Sequence, residues 1–324
     1  MDQHFYGIEQ NNSDMNHIHI LFAFNNNYYL LASVTITSIL KTANSNSYIH
    51  IHIIASKGFK FKTMKKLNSL KSKINNHTEF IFYDGNKAEK DFGSNIKYQT
   101  YGVGEYAKLL GPILVNKNIN RIITLDSGDL LITKDLLELY NYPLENYLVR
   151  GIPDPLAPCY TKYNFFYSKR GYLNGGVYLY NLQKWRELDI YNEIIKLYQH
   201  LNFKGKLPTA HQDIINCFLP SAAIGLLPFK YNVQEFIDLR KNDKQKGSKI
   251  YKRNCSYYYG KKEEVFDAEK NIVIRHYNKY KIYFGKGIYI LNRKWNIYAK
   301  LTGFYNEICK KYPKGCRQIS KPKK

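Results

Sequence analysis

HIHILFAFNNNYYLLASVTITSILKTANSNSYIHIHIIA, residues His17–Ala55, is the stretch whose reading decides the architecture. Its first eight residues, His17–Phe24, are a dense apolar run with aromatic and β-branched members. That composition suits a strand buried on both faces of a parallel sheet. Asn25-Asn26-Asn27 then interrupts the run with turn chemistry. Leu30–Leu40 reads as a helix, Ser/Thr-rich yet apolar along its length, and Tyr48–Ala55 as a second strand. Further on, Phe61, Met64, Leu67, Leu70 and Ile74 mark one face of a lysine-rich helix, and Glu79–Tyr83 supplies a third strand. Strand–helix–strand–helix–strand with short links predicts an α/β domain with a Rossmann-like, mostly parallel central sheet flanked by helices.

The pattern persists downstream. Tyr106–Val115 predicts a helix, Arg121–Leu125 (RIITL) a short buried strand, and Gly176–Tyr180 (GVYLY) another strand. Asp189 is placed to cap a helix that uses Ile190, Ile194 and Leu197. No internal repeat or convincing linker splits the chain. The expected organisation is a loose leader over residues 1–16 and one domain over 17–305, carrying a basic, tyrosine-rich loop insertion at 238–262. A basic tail follows at 306–324.

The composition sets bounds on function. A hydrophobic share of 44% across 324 residues can bury a sizeable core, and 20 Gly with 10 Pro exclude a fibrous or largely disordered chain. With 49 Lys+Arg against 26 Asp+Glu the formal charge is +23, a field that attracts polyanions without choosing among them. Heavy use of Lys, Asn, Ile and Tyr is also what a low-GC genome produces. The five cysteines (Cys159, Cys217, Cys255, Cys309, Cys316) include no CxxC pair. Neither a disulfide framework nor a zinc site is expected, and a reducing compartment is the simpler reading. No segment approaches a membrane-spanning length, so the expectation is a soluble, cytoplasmic protein.

The segment richest in chemistry is RIITLDSGDLLITKDLLELY, residues 121–140. A buried strand ends at Leu125, and two carboxylates, Asp126 and Asp129, follow at once. Ligands of open α/β sheets bind outside the carboxyl ends of strands. Two close carboxylates there can hold a hard divalent cation, which in turn takes diphosphate oxygens. Asp-Ser-Gly-Asp is equally good turn composition, so the motif alone leaves two solvated turn residues as the other reading.

Other segments, in their order, resemble glycosyltransferase family 8, the retaining transferases that include glycogenin and bacterial lipopolysaccharide galactosyl- and glucosyltransferases. The resemblance runs from about His17 to about Trp295. LFAFNNNYYLLASVTITSIL resembles the family's opening strand and turn, and Tyr106-Ala107-Lys108-Leu109 its next station. Asp126 and Asp129 resemble its Asp-x-Asp metal motif. Tyr172-Leu173-Asn174-Gly175-Gly176-Val177, running into Asn181-Leu182-Gln183-Lys184-Trp185-Arg186, resembles its most recognisable string. His211-Gln212-Asp213-Ile214-Ile215-Asn216 is similar to its Asp-Gln-Asp-x-x-Asn station, and His276 resembles the histidine completing the metal shell.

That resemblance implies a GT-A fold and transfer of a hexose, glucose favoured and galactose next, from a UDP-sugar with retention of configuration. The implied metal is Mn2+ (or Mg2+), held by Asp126, Asp129 and His276; one imidazole beside two carboxylates suits manganese better than calcium. The implied donor site comprises Ala23, Asn25, Asn27, Tyr28, Lys108, Asp126, Ser127, Gly175, His211, Lys279 and Lys281. Gln212 is implied beside the reacting carbon, with Asp154 and Asn174 lining the sugar pocket. The acceptor is a glycan or a protein side chain, self-glycosylation included, and a homodimer stays open.

Three features depart from the family pattern. Asp-Ser-Gly-Asp carries one residue more than Asp-x-Asp, which Gly128 could accommodate by a backbone bulge. His211 stands in place of an aspartate that holds donor-sugar hydroxyls. The stretch after His276 lacks the family's Gly and Lys-Pro-Trp. Two rival readings follow: a homologue that binds sugar nucleotide without turnover, and a basic nucleic-acid-binding protein. Against the latter, no nucleic-acid-binding module signature is present. His17/His19 and His50/His52 read as structural pairs away from the carboxylates, Trp185 and Trp295 as packing anchors, and Cys217 as core.

Overall fold

The computed structural model describes residues 15–55, 58–93, 103–154, 172–200, 207, 209–234, 262–277 and 289–316. Residues 1–14 of the expected leader, 238–261 of the expected insertion, Lys279, Lys281 and residues 317–324 lie outside them.

The strands are β1 (Asn16–Phe24), β2 (Ser47–Ala55), β3 (Thr78–Asp84), β4 (Arg121–Leu125), β5 (Leu130–Ile132), β6 (Val149–Pro153), β7 (Leu173–Asn181), β8 (Ile224–Leu226), β9 (Val233–Gln234) and β10 (Ile274–His276). Seven form one sheet in the order β3-β2-β1-β4-β7-β6-β8, and β5-β10-β9 form a small second sheet. In the large sheet β7 alone runs against its neighbours β4 and β6, while the other pairings are parallel. This is the mostly parallel α/β sheet that the sequence predicts. The reversal of β7 is not predicted, and it brings the start of that strand beside the end of β4: Leu125 pairs with Val177. The carboxyl ends of β1, β4 and β6 and the beginning of β7 therefore share one edge.

The predicted strands and helices of the first half are present with slightly wider bounds. Residues Leu30–Leu40 of the helix Tyr29–Thr42 are buried without a break. Its hydroxyls explain how a Ser/Thr-rich helix tolerates this. Ser33 and Ser38 donate back to Leu30 O and Thr35 O at 2.6 Å, and Thr35 Oγ1 donates to Leu130 O at 2.9 Å. Ser38 Oγ also accepts from Ile132 N at 3.0 Å. The helix thus bonds to β5, the strand that follows Asp129. On the helix Phe61–Ile74 the predicted face is narrower than expected, because Leu67 and Leu70 are buried but Phe61 is 65% exposed. Residues Val103–Leu110 form a tighter 3-10 helix and only Gly111–Leu114 an α-helix, where one continuous helix was expected.

Trp185 and Trp295 are packing anchors, each 1% exposed, and Trp185 Nε1 donates to Leu148 O at 2.9 Å. The body continues past residue 305. Tyr305–Lys311 and Pro313–Cys316 are helical and Ile308 is fully buried, so the first part of the expected tail packs on the domain. Cys309 and Cys316 are joined by a disulfide, their Cα atoms 5.3 Å apart, which departs from the expectation of cysteines without a bridge. No helix among the described residues is long and apolar enough to cross a membrane.

Candidate active site

Asp126, Asp129 and His276 converge although 150 residues separate the first from the last. Each offers a ligand atom within 4.8 Å of the others. His276 Nε2 lies 3.6 Å from Asp129 Oδ2 and 3.9 Å from Asp126 Oδ2. Local backbone pairing produces the convergence. Asp126 N donates to Gly176 O at 2.9 Å, tying the end of β4 to β7, and Tyr277 N donates to Asp129 O at 2.8 Å, tying the β4–β5 turn to β10. The extra residue in Asp-Ser-Gly-Asp does not prevent this. Positive φ among the described glycines occurs at Gly58 and Gly303, so Gly128 does not adopt a left-handed bulge. What Gly128 supplies is clearance: a Cβ there would sit 3.2 Å from Leu31 Cβ.

The chemistry of this triad suits a divalent cation. His276 Nδ1 lies 2.9 Å from Asn232 Oδ1, an oxygen that can only accept, so Nδ1 carries the proton. Nε2 is left with its lone pair facing the carboxylates, and it is buried with no hydrogen-bond partner. A buried polar atom without a partner is costly unless something else satisfies it. An outer-shell group that fixes the tautomer of a ligating histidine is a recurrent feature of metal sites.

Around the triad lies a connected amide network. Asn232 Nδ2 donates to Asn174 Oδ1 at 2.9 Å, Asn174 Nδ2 to Asp154 Oδ2 at 3.0 Å, and Gln212 Nε2 to the same oxygen at 3.1 Å. Gln212 Oε1 accepts from Gly175 N at 2.6 Å. Asp154, Asn174, Gly175, His211 and Gln212 are therefore gathered beside the carboxylates. The two glycines are forced by this packing. A Cβ at Gly176 would meet His276 Cε1 at 2.6 Å, and one at Gly175 would meet His211 Nε2 at 2.9 Å.

Lys108 is 1% exposed and its ammonium donates to Asp126, with Glu105 at 3.7 Å. Burial opposes its charge, but Asp126, Glu105 and Asp129 more than offset that, and its pKa is raised. His211 is pushed down to about 3 by burial and by Lys108, and is neutral. Behind it Asp213 accepts from Tyr172 and from Thr209 N at 2.6 Å; burial raises its pKa and pushes that of Tyr172 up as well.

The turn after β1 is a neighbour of the site. Ser127 Oγ reaches Ala23 O at 3.5 Å, and Tyr28 Cδ1 lies 3.9 Å from where a Cβ of Gly128 would be. Asn25 Oδ1 accepts from Asn27 N at 2.8 Å, and Asn27 O accepts from Lys311 Nζ at 2.5 Å. Asn232 and Glu105 are members that sequence reasoning missed. Asn232 sits between β8 and β9, two short strands without a periodic signal, and Glu105 is an unremarked acid three residues before Lys108.

The four strand histidines form a separate cluster. His17 pairs with His50 across β1 and β2 at 2.8 Å, and His19 with His52 at 3.0 Å. Their outer partners are Glu79 and Tyr83 on β3.

A mostly parallel α/β sheet flanked by helices is the architecture of GT-A glycosyltransferases, and solved structures agree in fold. The bifunctional glycosyltransferase WbbM superposes with a TM-score of 0.68 at 18% identity, over 92% of this chain and 52% of its own, so the chain spans about half of that protein. The galactosyltransferase LgtC, solved with donor and acceptor sugar analogues, gives 0.65 at 18% identity over 88% of this chain and 95% of its own. General stress protein A of Bacillus subtilis (strain 168) is 23% identical over 224 residues, 69% of this chain and 76% of the relative. Residues 19–282 match Glycosyl transferase family 8, and the chain belongs to that family.

Proposed function

We propose that this protein transfers a hexose from a UDP-sugar to a glycan or protein acceptor, with retention of anomeric configuration and dependence on a divalent cation. The observation that carries the reading is the convergence of Asp126, Asp129 and the lone-pair nitrogen of His276 at the carboxyl edge of the sheet. When bound there, Mn2+ (or Mg2+) would neutralise charge on the departing nucleotide diphosphate.

The chain's own residues divide the remaining work. Ala23, Asn25, Asn27, Tyr28 and Ser127 form the side of the site that takes the uridine. Lys108 adds fixed positive charge where the diphosphate departs, and its burial makes that charge more effective than it would be in water. Lys279 and Lys281 are proposed to contribute in the same way. Gly175, His211, Asp154 and Asn174 line the sugar pocket. Gln212 faces the reacting carbon, its amide held at both ends by Gly175 N and Asp154. An amide fixed in this way can stabilise developing positive charge through its oxygen without becoming a nucleophile. Glucose is the favoured donor sugar and galactose the next.

A donor screen tests the reading. The protein is incubated with each UDP-sugar and Mn2+, and released UDP and added protein mass are measured. UDP release that depends on the cation and on one sugar supports it, and added mass identifies the chain as its own acceptor. No release from any UDP-sugar would overturn it.

A further inference from the structure

The C-terminal helices reach the turn that follows β1. Lys311 Nζ donates to Asn27 O at 2.5 Å, and the Tyr312 hydroxyl lies 3.5 Å from the same oxygen. Tyr312 also neighbours Tyr28; burial first, and that second phenol next, push its pKa up to about 12. Along the chain, Lys311 and Tyr312 lie inside the ring closed by the Cys309–Cys316 disulfide. Both cysteines are partly exposed, so a small thiolate has access to the bridge. The helix Tyr305–Lys311 that enters the ring is anchored independently of it. Ile308 is fully buried, and Glu307 accepts from Lys66 Nζ at 2.6 Å and from the Tyr29 hydroxyl at 2.8 Å. An exposed hydrogen bond such as that from Lys311 barely offsets the entropy of fixing a long side chain. Closing the ring removes conformations that carry Lys311 and Tyr312 elsewhere, and so favours their contact with Asn27.

We propose that the Cys309–Cys316 bridge is a thiol–disulfide switch that orders the Asn25–Tyr28 turn through Lys311 and Tyr312, and thereby sets nucleotide affinity. The link to affinity rests on the reading above, in which this turn takes the uridine. With the bridge closed, Lys311 holds Asn27 O and the turn is preorganised, so less ordering remains to be done when the nucleotide arrives. A dithiol opens the bridge: it is oxidised to its own disulfide, and its two electrons and two protons turn the Cys309–Cys316 bond into two thiols. Oxidised glutathione closes the bridge again and leaves as two glutathione thiols. The buried Ile308 and the Glu307 contacts keep the helix docked in both states, which confines the change to the segment touching Asn27.

The test compares full-length wild type oxidised with glutathione disulfide and the same protein reduced with dithiothreitol, each desalted under argon. The Cys309→Ser/Cys316→Ser double variant is treated in the same two ways. UDP affinity in Mn2+ is measured by calorimetry, and amide hydrogen exchange of Asn25–Tyr28 is measured without nucleotide. Reduction of wild type should weaken UDP binding by about fivefold or more. It should also speed exchange at the turn while the melting transition stays cooperative. The double variant should resemble reduced wild type after either treatment. Equal exchange at the turn in oxidised and reduced wild type would overturn the proposal, as would equal UDP affinity. A double variant that still responds to dithiothreitol would overturn it too, because the effect would then come from other cysteines. Failure of the transfer reading is seen separately, as wild type that binds no UDP in either state; the exchange comparison alone then decides whether the bridge orders the turn.

Discussion

The His276 ring and the Asn232 side chain are joined by a 2.9 Å hydrogen bond from Nδ1 to Oδ1, and that bond decides which imidazole nitrogen faces Asp126 and Asp129. Without it either tautomer is accessible and the ring can rotate. Outer-shell partners of this kind typically contribute about ten- to a hundredfold in metal affinity. Asn232→Ala is therefore expected to weaken Mn2+ binding by that factor, read by calorimetry, while circular dichroism stays native. Unchanged Mn2+ affinity would mean that the orientation of His276 is fixed elsewhere.

Gly176 lies against the same ring, close to its Cε1 and Nδ1 atoms. A Cβ there would stand 2.6 Å from His276 Cε1, and the histidine is too buried to move aside cheaply. Overpacking of this kind costs about 1–3 kcal/mol. Gly176→Ala should lower both thermal stability and Mn2+ affinity. Gly93→Ala is the control, because its Cβ would meet only Glu89 Cγ at 3.6 Å. That variant should melt within about 0.5 kcal/mol of wild type.

The histidine ladder predicts acid lability. His50 Nδ1 faces the Glu79 carboxylate at 3.0 Å and so donates, leaving His50 Nε2 to accept from His17 Nδ1 at 2.8 Å. His19 is pushed down to about 2 and His52 to about 3, in both cases by burial first and by neighbouring histidines second. Tyr48, Tyr83 and Tyr140 complete the surroundings and bring no positive charge. Both histidines are neutral in the fold but take a proton near pH 6.5 when unfolded, so the unfolded state binds more protons below that pH. Stability is full above about pH 6.5 and falls as pH drops toward 3. The slope is about 1.4 kcal/mol per pH unit for each histidine. Urea melts across pH 4–8 should flatten between pH 4 and 6.5 in a His19→Gln, His52→Gln double variant; an unchanged slope would place the acid sensitivity elsewhere.

Ser38 links the buried helix Tyr29–Thr42 to β5 by accepting from Ile132 N at 3.0 Å. Ser38→Ala strands that buried N–H, at a cost of about 1–3 kcal/mol. The loss is expected in equilibrium unfolding, and Ser72→Ala on the exposed face of the helix Phe61–Ile74 should be close to neutral.

Long periodic segments made the first half of the sheet readable from sequence alone, since β1, β2, β3 and β4 carry enough apolar residues to declare themselves. Asp126, Asp129 and His276 were readable because each borders such a segment or a distinctive string. The rest depended on contacts between distant, short pieces. The reversal of β7 was hidden because a strand's direction follows from the neighbours it pairs with; the strand also starts earlier than its predicted first residue Gly176, and its glycines are required by His276 and His211 lying against them. Strands β5, β8 and β9, of two or three residues, are too short for a period to be seen. Asn232 and Glu105 matter through what they face, and no local pattern announces that. The tail looked basic and loose, yet Ile308 is buried and Lys311 reaches Asn27 O.

The proposed transfer stands on Asp126, Asp129 and His276 holding one cation that in turn grips a diphosphate. Calorimetric titration of UDP into wild type and Asp129→Asn, each with and without Mn2+, tests it most directly. The expected result is saturable UDP binding to wild type that requires Mn2+, and a large loss of that binding in Asp129→Asn despite a native melt. UDP binding of equal strength with and without Mn2+, or equal binding by Asp129→Asn, would contradict it.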